Sequence, residues 1–127
     1  MASEKNFENA VKRFLRMTGC WYIKYWSGGG YTRAGVPDLL ICAGGHFIGA
    51  ELKAETGRPT ELQLHELALI RKAGGIGILL FPQDFQVFRR MILKLQRGED
   101  TMQEEEFFER RIAKWMHVKH ANTSSRH

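Results

Sequence analysis

The feature that most constrains the fold is a pair of short apolar runs joined by two glycines. Residues 39–42 form the first run, residues 47–50 form the second, and Gly44-Gly45 lies between them. Paired glycines between apolar runs favour a tight turn, so the segment is predicted to be a β-hairpin. A hairpin that turns there pairs residues whose numbers sum to about 89, which places Asp38 opposite Glu51.

The remaining elements follow from hydrophobic periodicity and from residues that begin or end helices. Helices are predicted over residues 4–17, 60–73, 84–96 and 101–120, and strands over 20–26, 38–43, 46–53 and 76–81. The last strand is apolar throughout, so we expect both of its faces to be buried. Thr101 followed by Glu104 fits a capping box for the last helix. This order predicts an α/β domain with a small mixed sheet flanked by helices.

The chain has 127 residues and 43% hydrophobic content, which is enough for one hydrophobic core. We expect one domain with its core over residues 1–98, a helical extension over 99–120 and a disordered tail over 121–127. Cys20 and Cys42 lie in apolar runs without metal-type spacing. They are predicted to be buried free thiols in a reducing cytoplasm.

The formal net charge is +5, which favours an anionic partner. Residues 1–98 carry 14 Lys and Arg against 8 acids, whereas residues 99–127 carry 5 against 6. Only the first part of the chain is therefore expected to suit a polyanion. No apolar run approaches the roughly 20 residues that span a bilayer, and the N-terminus has no apolar signal region, so no membrane partner is expected.

Two acids and a lysine are expected at neighbouring strand ends. Mg²⁺ prefers oxygen ligands and commonly uses one or two carboxylates together with substrate phosphate. Paired strands lie about 5 Å apart, so Asp38 and Glu51 could share one ion. Lys53 is two residues beyond Glu51 and shares its face, where it could polarise an attacking water or neutralise charge on the reacting phosphate. The pattern predicts metal-dependent cleavage of a phosphodiester bond; the simpler alternative is a surface hairpin with a Glu/Lys pair.

The motif Gly-Val-Pro-Asp-Leu-Leu over residues 35–40, with Glu-Leu-Lys over 51–53, resembles the PD-(D/E)XK nuclease superfamily. A fuller pattern resembles the stand-alone phage and bacterial type of the VRR-NUC (virus-type replication-repair nuclease) domain. Its matching pieces are residues 35–38, 48–54 and 57–60, Gln63 and Gly74-Gly75. The resemblance covers about residues 4–82. It implies a restriction-endonuclease-like αβββαβ core and a Mg²⁺ or Mn²⁺ cofactor, and the two predicted C-terminal helices lie outside it.

The resemblance also implies roles for individual residues. The implied metal ligands are Asp38, Glu51, Glu8 and the carbonyl of Leu52, and the implied catalytic residues are Asp38, Glu51, Lys53, Gln63 and Glu8. Two of these have an alternative structural role. Gln63 is three residues after Thr60 and fits the last position of a capping box. Glu8 can pair with Lys12 one helical turn further on.

Nucleic-acid affinity is expected to come from cations that neutralise phosphates. The candidate nucleic-acid contacts lie in the glycine-rich loop before Asp38, in the loop after Lys53 and on the first helix. They are the cations Arg33, Arg58, Lys12 and Arg16, together with Tyr31. The aromatic residues Trp21, Tyr22, Tyr25 and Trp26 could stack on unpaired bases, although filling a core is the commoner use of such a run. No base-reading element is visible, so selectivity for branched, junction or flap DNA is expected rather than sequence specificity.

The expected function is therefore a metal-dependent DNA endonuclease in the cytoplasm of a bacterium or a phage-infected host cell. The alternative is a non-catalytic nucleic-acid-binding module, and a third option is an assembly subunit acting through its last helix. That helix carries an apolar stripe, Phe108, Ile112, Trp115 and Met116, which could pack on its own domain or on a second copy. A homodimer would present two sites to a branched substrate.

Overall fold

The computed structural model describes residues 3–26 and 32–124, and it describes side chains as far as residue 116. The elements are α1 (Glu4–Met17), β1 (Trp21–Lys24), β2 (Leu39–Ala43), β3 (His46–Leu52), α2 (Glu61–Lys72), β4 (Ile76–Leu80), a 3₁₀ turn (Pro82–Asp84), α3 (Phe85–Gln96) and α4 (Met102–Ser124). The predicted α/β class and αβββαβ order are confirmed, with element ends displaced by a few residues. The last helix continues past its predicted end at residue 120 into the predicted tail, and residues 125–127 lie outside the described part.

The hairpin has the predicted register. Leu39 pairs with Ala50 and Ile41 with Ile48, so β2 and β3 are antiparallel and their open end carries Asp38 and Glu51. The turn between them needs two residues with positive φ, and Gly44-Gly45 supplies φ values of 57° and 83°. The glycine turn therefore determines which residues meet at the other end of the hairpin.

The sheet has the order β1-β2-β3-β4, and only the pairing of β3 with β4 is parallel. Lys24, the last residue of β1, lies opposite Leu39, the first residue of β2. Leu52 and Leu80, which end β3 and β4, lie side by side. One end of the sheet therefore collects the end of β1, the start of β2 and the ends of β3 and β4. We refer to this end as the site edge.

Helices cover the sheet unequally. The main core lies between one face and the helices α1 and α3, and it includes Val11, Leu15, Ile41, Phe88 and Met91. On the opposite face α2 forms a smaller cluster around Leu67, Leu79 and Phe81. The helix α4 packs beside β4 and contributes Phe108 to the first cluster and Ile112 to the second. Its apolar stripe thus packs largely on its own domain, while Met116 is exposed.

The helix α2 lies unusually close to β3 and β4. Gly49 and Gly77 are register partners on these strands. A Cβ atom at Gly77 would lie 2.6 Å from the carbonyl oxygen of Leu67, and one at Gly49 would lie 2.5 Å from Cδ1 of Ile70. Gly77 is therefore needed for the helix to approach the sheet to this distance, because it faces the backbone of Leu67, whereas Ile70 can turn its Cδ1 away from Gly49.

The core role favoured for the aromatic run around β1 is wrong for its two tryptophans, whereas Tyr22 packs against the main core. Trp21 is 62% exposed and Trp26 is 74% exposed, because β1 is an edge strand and α2 covers only the β3–β4 half of that face. Cys42, opposite Trp21, is exposed as well, so the expectation of two buried thiols is wrong for this residue. Cys20 is partly buried, and both cysteines are free thiols.

The capping box predicted at the start of α4 is also wrong. Glu104 is fully buried and bonds to Arg90 (2.7 Å) and Lys94 (3.0 Å) on α3, while Thr101 bonds to a different glutamate. Asp100 accepts the hydrogen bond from the first backbone amide of the helix instead. Burial acts to raise the pKa of Glu104, but the hydrogen bonds from Arg90 and Lys94 outweigh it and the pKa is lowered. Glu104 therefore joins α4 to α3 rather than facing solvent.

Within the described residues, no helix has both the length and the apolar character needed to cross a membrane.

Candidate metal and catalytic site

Asp38 and Glu51 lie together at the site edge. Asp38 immediately precedes β2, and its Oδ2 accepts a hydrogen bond of 2.9 Å from the backbone amide of Leu52. Glu51 is the penultimate residue of β3 and is only 3% exposed. Burial raises the pKa of Glu51, and the negative charge of Asp38 adds to this effect. The charge of Lys53 opposes it only in part, so the pKa reaches about 8.

This pair fits a divalent cation. Two carboxylates that repel each other in a buried place are stabilised when a cation neutralises both, and oxygen is the donor that Mg²⁺ and Mn²⁺ prefer. Over residues 3–26 and 32–116, no three Asp, Glu, His or Cys side chains form a ready metal cage. The donors available are therefore two carboxylates and backbone carbonyls, which suits an ion that keeps several waters. The carbonyl of Leu52 as a ligand stays a prediction.

Lys53 lies beside the acid pair. Its Nζ is 3.5 Å from Oε2 of Glu51, and its side chain is largely buried. Its backbone amide donates to the carbonyl of Leu80 at 3.0 Å, which continues the β3–β4 pairing by one residue and holds the lysine at the site edge. The predicted neighbourhood of Asp38, Glu51 and Lys53 is therefore present in the structure.

Gln63 takes the capping position and also contacts Glu51, while its catalytic role stays a prediction. Its Oε1 accepts a hydrogen bond of 2.9 Å from the backbone amide of Thr60, which completes a capping box at the start of α2. Its Nε2 donates to Oε2 of Glu51, also at 2.9 Å. Because the capping bond uses the amide oxygen, the side chain can only present its NH₂ group to Glu51. The helix cap thus orients a donor towards the buried carboxylate.

Lys24 is a member of the site that sequence reasoning missed. Its Nζ contacts Oε1 of Glu8 and lies 3.6 Å from Oδ1 of Asp38. Burial acts to lower the pKa of Lys24, but the hydrogen bond with Glu8 and the charge of Asp38 prevail and raise it. Lys24 therefore stays charged and forms a bridge from α1 to the acid pair.

Glu8 contacts two ammonium groups. Besides Lys24 it pairs with Lys12 at 2.9 Å, as its alternative role predicted. Burial acts to raise the pKa of Glu8, but the hydrogen bonds from Lys24 and Lys12 lower it below the usual value. Glu8 thus reaches Asp38 through Lys24. Its predicted role as a metal ligand stays a prediction.

The predicted nucleic-acid contacts are dispersed over the surface. Arg33 pairs with Glu66 on α2 at 2.7 Å, and Arg16 donates to the hydroxyl of Tyr22 at 2.8 Å. The guanidinium of Arg58 lies 5.8 Å from the ring centre of Trp115 on α4. Tyr31 lies outside the described residues. Arg58 is the candidate closest along the chain to Lys53.

Comparison with known proteins gives structural likenesses but no sequence family. No family model matches the chain, and no curated protein matches it. The structure is similar to that of Hjc, a Holliday junction resolvase from the archaeal hyperthermophile Archaeoglobus fulgidus. The match has a TM-score of 0.46 and 20% sequence identity, and it covers 61% of this chain and 69% of that chain. A likeness of this extent carries no argument about activity, so the chemistry of the site depends on its own geometry.

Proposed function

We propose that this chain is a metal-dependent endonuclease that hydrolyses DNA phosphodiester bonds. The observation that carries the proposal is Glu51, a buried carboxylate held between Asp38, Lys53 and the amide group of Gln63. Burying an ionisable acid next to a second acid costs free energy. A bound cation would offset that cost by neutralising both acids. In a surface hairpin nothing would require the acids to be buried together.

Each residue of the site has a separate proposed role in hydrolysis. Asp38, Glu51 and the carbonyl of Leu52 would hold Mg²⁺ or Mn²⁺, which when bound supplies positive charge to the reacting phosphate and its attacking water. The ammonium of Lys53, beside Glu51, can donate hydrogen bonds to that water or to a phosphate oxygen. Gln63 fixes the orientation of Glu51 through its Nε2.

We propose that the substrate is branched, junction or flap DNA. This choice depends on the resemblance to VRR-NUC domains and on the lack of a recognisable base-reading motif in the sequence, which supports selection by shape. A homodimer would present two such sites. The resemblance to stand-alone VRR-NUC domains supports products with 5′-phosphate ends, and it supports action in the cytoplasm of a bacterium or a phage-infected cell.

A second candidate function is a non-catalytic nucleic-acid-binding module. It is favoured by Lys24, which already neutralises Glu8 and approaches Asp38 without a metal. In that case the acids would be members of a structural ion-pair network. The raised pKa of Glu51 is the observation that such a network leaves unexplained, because Lys53 does not compensate for the burial of Glu51 and the charge of Asp38.

The test is cleavage of end-labelled flap, fork, four-way junction, duplex and single-stranded DNA with Mg²⁺, Mn²⁺ or EDTA. Wild type is compared with Asp38→Asn, which keeps the shape of the side chain and removes its charge. We expect products only with metal, and none from the variant. Absence of products on every substrate, with DNA binding retained, would favour the binding module.

A further inference from the structure

The helix α4 carries its charges in two separate blocks. Its first half is acidic, through Glu104, Glu105, Glu106 and Glu109, and the cations follow at Arg110, Arg111 and Lys114. The two blocks nearly cancel in the net charge of residues 99–127, so the net charge does not show this arrangement. A helix whose ends differ in sign presents one end to a polyanion and the other away from it.

Two cations of the basic block, Arg111 and Lys114, lie at the site edge. Glu105 and Phe108 lie near Ile76, where β4 begins. Arg111 and Lys114 lie near Phe81, the residue after the end of β4. Because the end of β4 pairs with Leu52 at the end of β3, the cations of α4 are brought to the same end of the sheet as the acid pair.

Arg111 and Lys114 line a groove of about 240 Å³ between α4 and the loop that follows Lys53. Arg58 and Lys114 are exposed at the groove, and Glu55 is an acid on the same wall. Arg111 lies between them, and its charge is partly balanced by a bond of 2.7 Å to the buried Asp84. The exposed surface of the groove is therefore predominantly basic, and the ring of Trp115 supports the guanidinium of Arg58.

The loop connects this groove directly to the proposed catalytic lysine. A Cβ atom at Gly57 would lie 3.2 Å from Cβ of Lys53 and 3.2 Å from the backbone of Ala54, so the loop folds back against the lysine. Arg58 follows at once. A nucleic-acid strand with one phosphate at Lys53 would have Arg58 as the next cation along the side of the groove formed by residues 55–58.

We propose that the groove between residues 55–58 and α4 binds the sugar-phosphate backbone of the nucleic-acid strand that continues from the scissile phosphate. Arg58 and Lys114 contact phosphates there, and Asp84 holds Arg111 at the base of the groove. This proposal depends on the proposed nuclease function for the identity of the ligand. The C-terminal helix then belongs to the substrate-binding surface.

The test compares the double variant Arg58→Gln/Lys114→Gln with Arg110→Gln. Arg110 is an exposed cation on the same helix that does not line the groove, and it serves as the control for loss of one charge from α4. Binding of fluorescein-labelled four-way junction and single-stranded DNA is measured by anisotropy in EDTA over a range of salt concentrations. Thermal unfolding of each variant confirms that it is folded.

We expect the double variant to bind on the order of tenfold more weakly. The slope of log K against log salt should fall by about 0.7–0.9 for each phosphate that the variant no longer neutralises. The control should keep the wild-type slope. In cleavage assays the double variant should raise KM and leave kcat at saturating DNA unchanged.

Wild-type affinity and slope in the double variant would overturn the proposal, as would an equal loss in Arg110→Gln. If the wild type cleaves DNA and the double variant binds normally, the groove alone is refuted. If the wild type cleaves nothing but the double variant loses salt-dependent binding, the nuclease function fails and the groove stands as a nucleic-acid site.

Discussion

The carboxylate of Asp38 is tied to the backbone of Leu52 by a hydrogen bond of 2.9 Å. This bond crosses the open end of the hairpin and holds the side chain of Asp38 beside the residue that follows Glu51. As a result the charge of Asp38 contributes to the raised pKa of its neighbour. The acid pair is thus preorganised by the backbone, before a cation or a substrate arrives.

The raised pKa of Glu51 predicts a pH-dependent stability in the absence of metal. Its ordinary value is 4.5 and its value in the folded protein is about 8, so between these pH values the folded state binds more protons than the unfolded state. The contribution of Glu51 is fully present below about pH 4.5 and is lost as the pH rises through about 8. At about 1.4 kcal/mol for each pKa unit, the loss is on the order of a few kcal/mol.

Thermal unfolding in EDTA between those pH values measures this effect, with Glu51→Gln as the comparison. We expect Tm to fall with pH more steeply in wild type than in the variant. Adding Mn²⁺ should restore Tm most at high pH, because the cation favours the carboxylate. Identical pH profiles for the two proteins would contradict the assignment.

Lys53→Ala should abolish cleavage while the fold and DNA affinity stay near wild type. The reason is that the ammonium of Lys53 is proposed to act on the attacking water or a phosphate oxygen during the reaction. We expect a loss of roughly 100-fold or more in kcat, the scale at which a positioned charge acts in a transition state. Lys72→Ala removes an equal charge from an exposed position on α2 and should cleave normally. Cleavage by Lys53→Ala at the wild-type rate would refute this role.

The two functions of Gln63 can be separated by a pair of variants. Gln63→Glu keeps an acceptor for the amide of Thr60 but replaces the donor to Glu51 with a like charge. Thr60→Ala removes half of the capping box, at a cost of about 1 kcal/mol, and leaves the bond to Glu51 available. We expect the first variant to lose cleavage with a small change in Tm, and the second to lower Tm with cleavage retained. If the two variants change cleavage to the same extent and Tm to the same extent, Gln63 acts only as a cap.

The bridge formed by Lys24 predicts an ordering of metal affinities. Lys24→Gln removes a positive charge 3.6 Å from Asp38, so Mn²⁺ should bind about tenfold more tightly by calorimetry without DNA. Asp38→Asn should weaken Mn²⁺ binding strongly. Glu8→Gln should weaken it much less if Glu8 acts mainly as the counter-ion of Lys24 and Lys12. A loss in Glu8→Gln equal to that in Asp38→Asn would instead make Glu8 a direct ligand.

The hairpin could be predicted in register because its two constraints are local. The glycine turn has few geometries, and a shift of one residue would move every apolar side chain of β2 to the opposite face. Asp38 and Glu51 therefore had one arrangement consistent with the sequence. The position of Lys24 could not be predicted in the same way. It depends on the register between β1 and β2, which a long connection before Asp38 leaves open.

Glu104 shows why the sequence predicts the wrong cap for the last helix. A glutamate three residues after a threonine fits a capping box, and the same residue can equally form a buried pair with a neighbouring helix. The choice depends on Arg90 and Lys94, which only the packing of α3 against α4 brings within reach. The direction of α4 along β4 likewise depends on tertiary packing, and it decides where the charges of the helix lie.

The position of Gln63 depends on Gly77, a residue that takes no part in the chemistry of the site. Because Gly77 has no side chain, the backbone of α2 can lie close to β4, and Gln63 reaches Glu51 from the start of that same helix. An alanine at Gly77 should displace the start of the helix and lengthen the hydrogen bond between Gln63 and Glu51, which Gly77 does not touch. The orientation of the Glu51 side chain therefore depends on a glycine in the middle of the sheet, which a search for polar site residues would not find.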